Sequence, residues 1–301
     1  MPAPLVSQAW ADALEPGIRE WFWLGFNRRP SLRPSIFNVL SSIKDTEHYE
    51  NFGAVALDAW NNFSATGKPS TVGYDRGYKT NIQNQTFAVE LPIRREFLED
   101  NLYNNIVNPT MMLGDSAALK METDAASVFN NATSASYLGG DGVALASASH
   151  PNAPDVSGTQ SNAGSLTLTP ANIETSRLAM WAYTDDKGGL IGAMPDTLIV
   201  PPALEYAARQ AVLSSGDPTT ANRADNPRQG AYNIIVWPFL TSTTRWFLVD
   251  SVLMKQKLFW QDRVPLDVHL KQEDTSVFAT WIARMRYGFG FTDWRWTFVN
   301  N

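Results

Sequence analysis

Apolar positions follow distinct spacings along the 301-residue chain, and each spacing predicts a different element. Ala117, Met121, Ala125 and Val128 fall at i, i+4, i+8 and i+11, which gathers them on one face of a long helix. Asn108 and Pro109 form an N-cap and first-turn pair ahead of them, so the spacing predicts a break near Pro109 from a preceding helix over 94–105. Within Lys79 to Arg94, Phe87, Val89 and Leu91 alternate with Thr86, Ala88 and Glu90, the period-two signature of a strand with one apolar face. Alternation returns after Lys255, at Leu258 and Trp260, at Val277, Ala279 and Trp281, at Phe289 and Phe291, and at Trp296 and Phe298. These runs predict antiparallel strands that complete a sheet.

Between the long helix and those strands the pattern switches repeatedly. Thr169 and Pro170 open a helix that runs through Trp181 and is closed by the stretch TDDKGG. A strand over Thr197 to Val200, a helix over PPALEYAARQAVL, and strands over Asn233 to Trp237 and Trp246 to Val249 follow. This alternation describes a mixed α/β subdomain over 181–251 set into a larger one.

Two regions carry no regular period. The first sixty residues are punctuated by Pro2, Pro4, Pro16, Pro30 and Pro34 around Trp21, Phe22, Trp23 and Phe26, and read as an arm that must dock on its own domain or on a neighbour. From Ala65 to Tyr78 the stretch TGKPSTVGYDRGY has three Gly and one Pro, so it reads as a loop or ribbon leading into the strand after Lys79. Such a ribbon is too thin to bury its own apolar face. Leu138 to Ser165, rich in Gly, Ser, Ala and Asn, is expected to form loops and short strands.

Composition adds a boundary condition. Hydrophobic residues are 44% and charged residues 18% of the chain, undercharged against the roughly 25% usual for soluble proteins. Eleven Trp, nine Tyr and fifteen Phe fit either a large aromatic core or extensive subunit interfaces. The net charge of −6 supplies no global positive field for wrapping nucleic acid tightly. The absence of cysteine excludes disulfides and thiolate chemistry. The start of the chain lacks the pattern of a signal peptide, and no run of about 18 apolar residues occurs, so an intracellular, soluble product with no membrane partner is expected.

Candidate chemistry is sparse. His48, His150 and His269 have no ligand-spaced partner, and HExxH, GxSxG, GxGxxG and the phosphate-loop pattern are absent. Asp185 and Asp186 fit a cation site or, more simply, an exposed acidic turn ahead of two glycines; Glu99 and Asp100 fit a solvated helix face. Trp294 and Trp296, placed on one face of a strand, fit stacking on a sugar or base, or burial in a core or interface. No catalytic residue, metal or cofactor is expected.

The ordered pieces, together with NQTFAVELPIRREFLEDN at Asn84 to Asn101, GGDGVALASASHPN at Gly139 to Asn152, LIVPPALEYAARQAVLSS at Leu198 to Ser215 and TRWFLVD at Thr244 to Asp250, resemble the major capsid proteins of tailed bacteriophages, and within them the Mu-type major head subunits. The resemblance implies an α+β, HK97-like capsid fold. Its parts would be an N-terminal arm and lead-in (1–61), an extended E-loop hairpin (62–92), a peripheral domain with a spine helix (93–177), an axial domain (178–252) and closing strands (253–301). It further implies a self-assembling subunit of an icosahedral head, present as hexamers and pentamers around double-stranded DNA and assembled in the bacterial cytoplasm. The implied partners are a portal protein, a separate scaffolding protein or none, since the arm begins at Met1, and a decoration protein. Subunit contacts are expected at Trp21, Phe22, Trp23, Phe26, Lys68, Tyr74, Arg76, Tyr78, Lys79, Asp185 and Asp186. Some family members crosslink a ribbon Lys to an Asn; Lys68, Lys79, Asn300 and Asn301 lie in the matching regions, without a motif that identifies such a set. Two other readings compete: the shell of an encapsulin nanocompartment, which has the same fold, and a Trp-rich carbohydrate-binding or carbohydrate-active protein.

Overall fold

The computed structural model describes residues 7–52, 60, 65, 67–69, 71, 76–94, 96–100, 102–153, 156–216, 225–271 and 278–301. In chain order the first half contains helix α1 (Ser7–Phe26), α2 (Arg33–Ile36), strands β1 (Asn38–Ser41), β2 (Thr46–Phe52), β3 (Arg76–Gln83) and β4 (Gln85–Arg94), then α3 (Glu96–Glu99) and α4 (Asn104–Asn130). After three two-residue strands, β5 (His150–Pro151), β6 (Thr159–Gln160) and β7 (Ala163–Gly164), come α5 (Pro170–Trp181), β8 (Thr197–Val200), α6 (Glu205–Leu213), β9 (Asn233–Val236) and β10 (Trp246–Val249). The chain closes with α7 (Ser251–Lys257), β11 (Leu258–Lys271), β12 (Phe278–Phe291) and β13 (Thr297–Asn300).

Two sheets organise these elements. One has the order β1-β11-β12-β4, with β1 parallel to β11 and the other pairs antiparallel. The other has the order β7-β13-β10-β8-β9. In β8, β10 and β13 all four residues are buried. That is why they read as continuous apolar runs: both faces of these inner strands are covered. Helix α5 begins where Thr169 accepts the Asn172 N–H on its side chain and Pro170 supplies a preset φ. Asp250 caps α7 in the same way, accepting from Val252 and Leu253.

The closing strands divide between the sheets. β11 and β12 form a long hairpin in the first, whereas β13 pairs antiparallel with β10 in the second. Trp294 and Trp296 lie in the turn between β12 and β13 rather than on a strand, and both are buried. Neither indole is available to stack on a sugar. Trp237, Trp246, Trp260 and Trp281 are buried as well, so six of the eleven tryptophans build the core. Phe129, near the end of α4, is its hub: its ring stands edge-on to Phe37, Trp237, Phe247 and Trp296 at centroid distances of 5.1 to 6.5 Å.

Helix α4 buries Ala117, Met121, Ala125 and Val128, the face marked by the spacing. It does not break at Pro109 but begins at Asn104 and runs through it. The donor that Pro109 lacks would serve the carbonyl of Asn105, an exposed residue whose oxygen water can satisfy. The preceding helix shrinks to the four residues of α3. The largest departure from the sequence pattern is the lead-in, which is not irregular: α1 is a 20-residue helix containing Pro16. It packs on α4 through Ile18 and Phe22, both fully buried.

Candidate assembly surface

β2 and β3 form a separate two-stranded antiparallel ribbon, with Thr46 opposite Gln83 and Phe52 opposite Arg76. The expected hairpin over 62–92 is bounded differently, because residues 85–94 pair with β12 inside the four-stranded sheet. The Tyr49 ring stacks on Phe259 with centroids 4.7 Å apart and planes 6° from parallel, and Gln261 Nε2 donates to its hydroxyl at 2.6 Å. Asn51 Nδ2 donates to the Thr292 carbonyl at 2.8 Å, and the Tyr78 hydroxyl donates to the Asn152 carbonyl at 2.5 Å. Buried Ile82 lies beside Gly288 and Gly290 of β12; a Cβ on Gly288 would stand 2.8 Å from the Gln83 carbonyl oxygen. The missing side chains let the ribbon root lie directly on the strand. Asn84 then turns the chain into β4, donating to Ser42 Oγ and to the Lys44 carbonyl, while Arg286 pairs with Asp45.

Farther out the ribbon is polar. Glu50 sits 3.7 Å from Lys79 Nζ and 3.9 Å from Arg76 Nε, and both basic side chains are exposed. Exposed pairs of this kind contribute little to folding, so these charges are free to contribute elsewhere. Lys68 and Trp60, on the connection between the two strands, are exposed, Trp60 at 83%. Tyr74 lies outside the described residues. Burial raises the pKa of the Tyr49 phenol, and burial with the neighbouring carboxylates Asp141 and Asp186 raises that of Tyr78. Both phenols therefore stay neutral hydrogen-bonding groups at the root.

Beside the root is a cavity of about 210 Å³ of mixed lining, with Asn51, Tyr78, Asp186, Lys257 and Arg295 beside Ile191 and Leu253. Asp185 builds a turn here, its Oδ1 accepting the N–H groups of Lys187 and Gly189 at 2.8 Å. Asp186 Oδ1 accepts from Arg295 at 2.8 Å, and Asp293 holds the same guanidinium. Burial opposes the charge on Arg295, but Asp293 and Asp186 more than offset it and raise its pKa. The acidic pair thus serves a turn and an internal ion pair.

The α1 aromatics separate by face. Phe22 is fully buried and Trp21 and Phe26 are partly covered by the subunit's own core, whereas Trp23 is 39% exposed beside exposed Leu24. At the other end, Asn300 is buried, its Nδ2 donating to Ser176 Oγ at 3.0 Å, and Asn301 Oδ1 accepts from Arg245 Nε at 3.0 Å. The sequence pattern gives no role to the glycines of β12 or to Tyr49, and offers His150 no ligand-spaced partner. Alternating Gly288 and Gly290 within an apolar run was the one available signal of a close crossing.

A core of two sheets and a long helix, with a separate two-stranded ribbon rooted on one face, is an α+β fold of the HK97-like class. A model of the phage capsid protein family matches residues 77–300, and the chain belongs to that family. It is a major capsid protein, a structural component of the virion that assembles into multimeric shells. Among solved structures, the capsid of cyanophage P-SCSP1u matches with a TM-score of 0.58 at 10% identity, covering 89% of this chain and 87% of that one. The procapsid of bacteriophage JBD30 matches with a TM-score of 0.53 at 15% identity, over 97% and 75%. An encapsulin from Synechococcus elongatus matches with a TM-score of 0.55 at 10% identity, over 91% and 88%. No curated protein sequence matches. Among the described residues, no helix is long and apolar enough to cross a membrane.

Proposed function

We propose that this subunit forms the hexamers and pentamers of an icosahedral phage head of the Mu type, and that the β2–β3 ribbon is its E-loop, lying over the neighbouring subunit. The observation that carries this reading is the ribbon itself. It projects from a core already covered by α1 and α4, holds Arg76 and Lys79 outward, and leads into a connection that exposes Trp60. Burying such a surface against another copy would stabilise the shell by roughly 25 cal/mol per Å² of apolar area.

In this reading the five-stranded sheet and α6 make the axial domain around the symmetry axes, and α4 is the spine of the peripheral domain. The proposed partners are a portal protein, a scaffolding protein encoded separately, a decoration protein and packaged double-stranded DNA held by weak contacts, as the net charge of −6 favours. Assembly takes place in the host cytoplasm, and the subunit performs no catalytic step. Support for the Mu-type placement comes from the four ordered segments between Asn84 and Asp250.

The test is replacement of residues 53–75 by a two-residue turn that keeps β2, β3 and the root contacts. Soluble, folded subunits that fail to close into shells, seen by light scattering and electron microscopy, are the expected result. Shells of normal size would remove the ribbon as an intersubunit element. An encapsulin reading has the structural likeness to the Synechococcus shell in its favour; particles that enclose a host enzyme and never DNA would establish it.

A further inference from the structure

His150 plays no part in the assembly reading, yet it is wholly buried and polar, and such a group persists through its hydrogen bonds. Its Nδ1 lies 2.7 Å from Asp141 Oδ2 and its Nε2 lies 3.1 Å from Asn162 Oδ1. The Asn162 amide is oriented from elsewhere: Nδ2 donates to the Leu145 carbonyl at 2.7 Å, and Oδ1 accepts the Ser147 N–H at 2.9 Å. Turning it over would set oxygen against carbonyl and NH₂ against N–H. Oδ1 therefore only accepts, as does an ionised Asp141. A neutral imidazole has a single N–H and can serve one of them.

We infer that Asp141 and His150 together hold one proton more than an ionised carboxylate and a neutral imidazole, and that this buried pair latches the segment over 139–164 beneath the ribbon root. The latched segment is the one the ribbon rests on. The Tyr78 hydroxyl donates to Asn152 at 2.5 Å, and a Cβ on Gly140 would stand 2.5 Å from Thr80 Oγ1. The Trp294 ring stacks on the imidazole with centroids 4.3 Å apart, an arrangement that favours a cationic ring. The other charged or titratable groups around this stack are Arg295 over Trp294, the carboxylates Asp186 and Asp293 that hold Arg295, Tyr183 edge-on to Trp294, and Tyr78 near Asp141. When the extra proton leaves to solvent, a lone pair is left facing an acceptor. The latch is therefore complete at low pH and opens as pH rises.

The experiment follows thermal unfolding and tryptic cleavage after Arg76 and Lys79 in the full chain from about pH 5 to about pH 10. In the wild type the melting temperature should fall toward the alkaline end, and cleavage should accelerate by about tenfold once divided at each pH by that of an unstructured peptide with the same two sites, which removes trypsin's own pH dependence. Asp141→Asn satisfies the network with a neutral ring, since its Oδ1 can keep the Val143 N–H and its Nδ2 can donate to Nδ1. That variant should lose the pH dependence while keeping the slow cleavage of the acid form. A wild-type profile without pH dependence, or one shared by Asp141→Asn, would overturn the inference. Nitrogen-15 histidine spectra of the wild type give a second readout, with His150 assigned by its absence in His150→Gln. Nε2 should carry a proton at the acid end of the range, whichever member of the pair holds the other one, and an unprotonated Nε2 there contradicts the latch. None of these measurements requires a shell to form.

Discussion

Gly114 of α4 lies directly against the Phe22 carbonyl of α1, so close that a Cβ on the glycine would fall well inside van der Waals contact with that oxygen. Gly25 meets the Met111 carbonyl reciprocally. The two helices touch backbone to backbone at these points, which brings Ile18 and Phe22 into the core.

Gly114→Ala should force the helices apart and destabilise the subunit by about 1–3 kcal/mol despite the better helix propensity of alanine. Denaturant titration measures it. An unchanged or raised midpoint would mean that α1 has room to shift.

Phe129→Ala removes the ring on which Phe37, Trp237, Phe247 and Trp296 converge, and should cost about 3–5 kcal/mol. Phe129→Leu keeps most of the volume and should cost less than half as much. Comparing the two by thermal melting separates cavity formation from loss of the aromatic edges.

Tyr49→Ala removes the stack on Phe259 and the partner of Gln261 at the ribbon root. Amide exchange should rise across β2 and β3 while β8, β10 and β13 stay protected, because the ribbon is a separate two-stranded unit. Uniformly faster exchange would show the ribbon to be part of the cooperative core.

Glu174 has its pKa lowered chiefly by its hydrogen bond from Arg177, against a smaller opposing effect of burial, with Arg228 adding to the lowering. A depressed carboxylate contributes stability that is full above its unfolded pKa and lost as pH falls through the folded value. Glu174→Gln should therefore flatten the acid limb of the stability profile below about pH 4 and leave its shape at neutral pH unchanged. Unfolding midpoints measured at a series of acid pH values check this.

What was legible in the sequence follows from how each element is stabilised. β8 and β10 stand out because strands covered on both faces demand unbroken apolar runs, and α5 because Thr169 and Pro170 carry their own start signal. α1 was hidden by Pro16 and a dense aromatic cluster. Its signal was Leu14, Ile18 and Phe22 at four-residue spacing, and burial against α4 outweighs the roughly 3 kcal/mol that an internal proline costs. The ribbon was foreseen as an element that cannot bury itself, but its partner strand was not, since pairing across residues 53–75 leaves no local pattern. His150 has no ligand-spaced partner in the sequence, because Asp141 and Asn162, nine residues before it and twelve after, meet it only in the folded chain.

β13 completes the five-stranded sheet from within, between β7 and β10. A chain that stopped just short of Thr297 would keep the other elements described above but leave β7 without its partner and one edge of β10 open, so the second sheet would stand split. The last strand is thus the keystone of this sheet, and a chain truncated before it should lack the continuous five-stranded body.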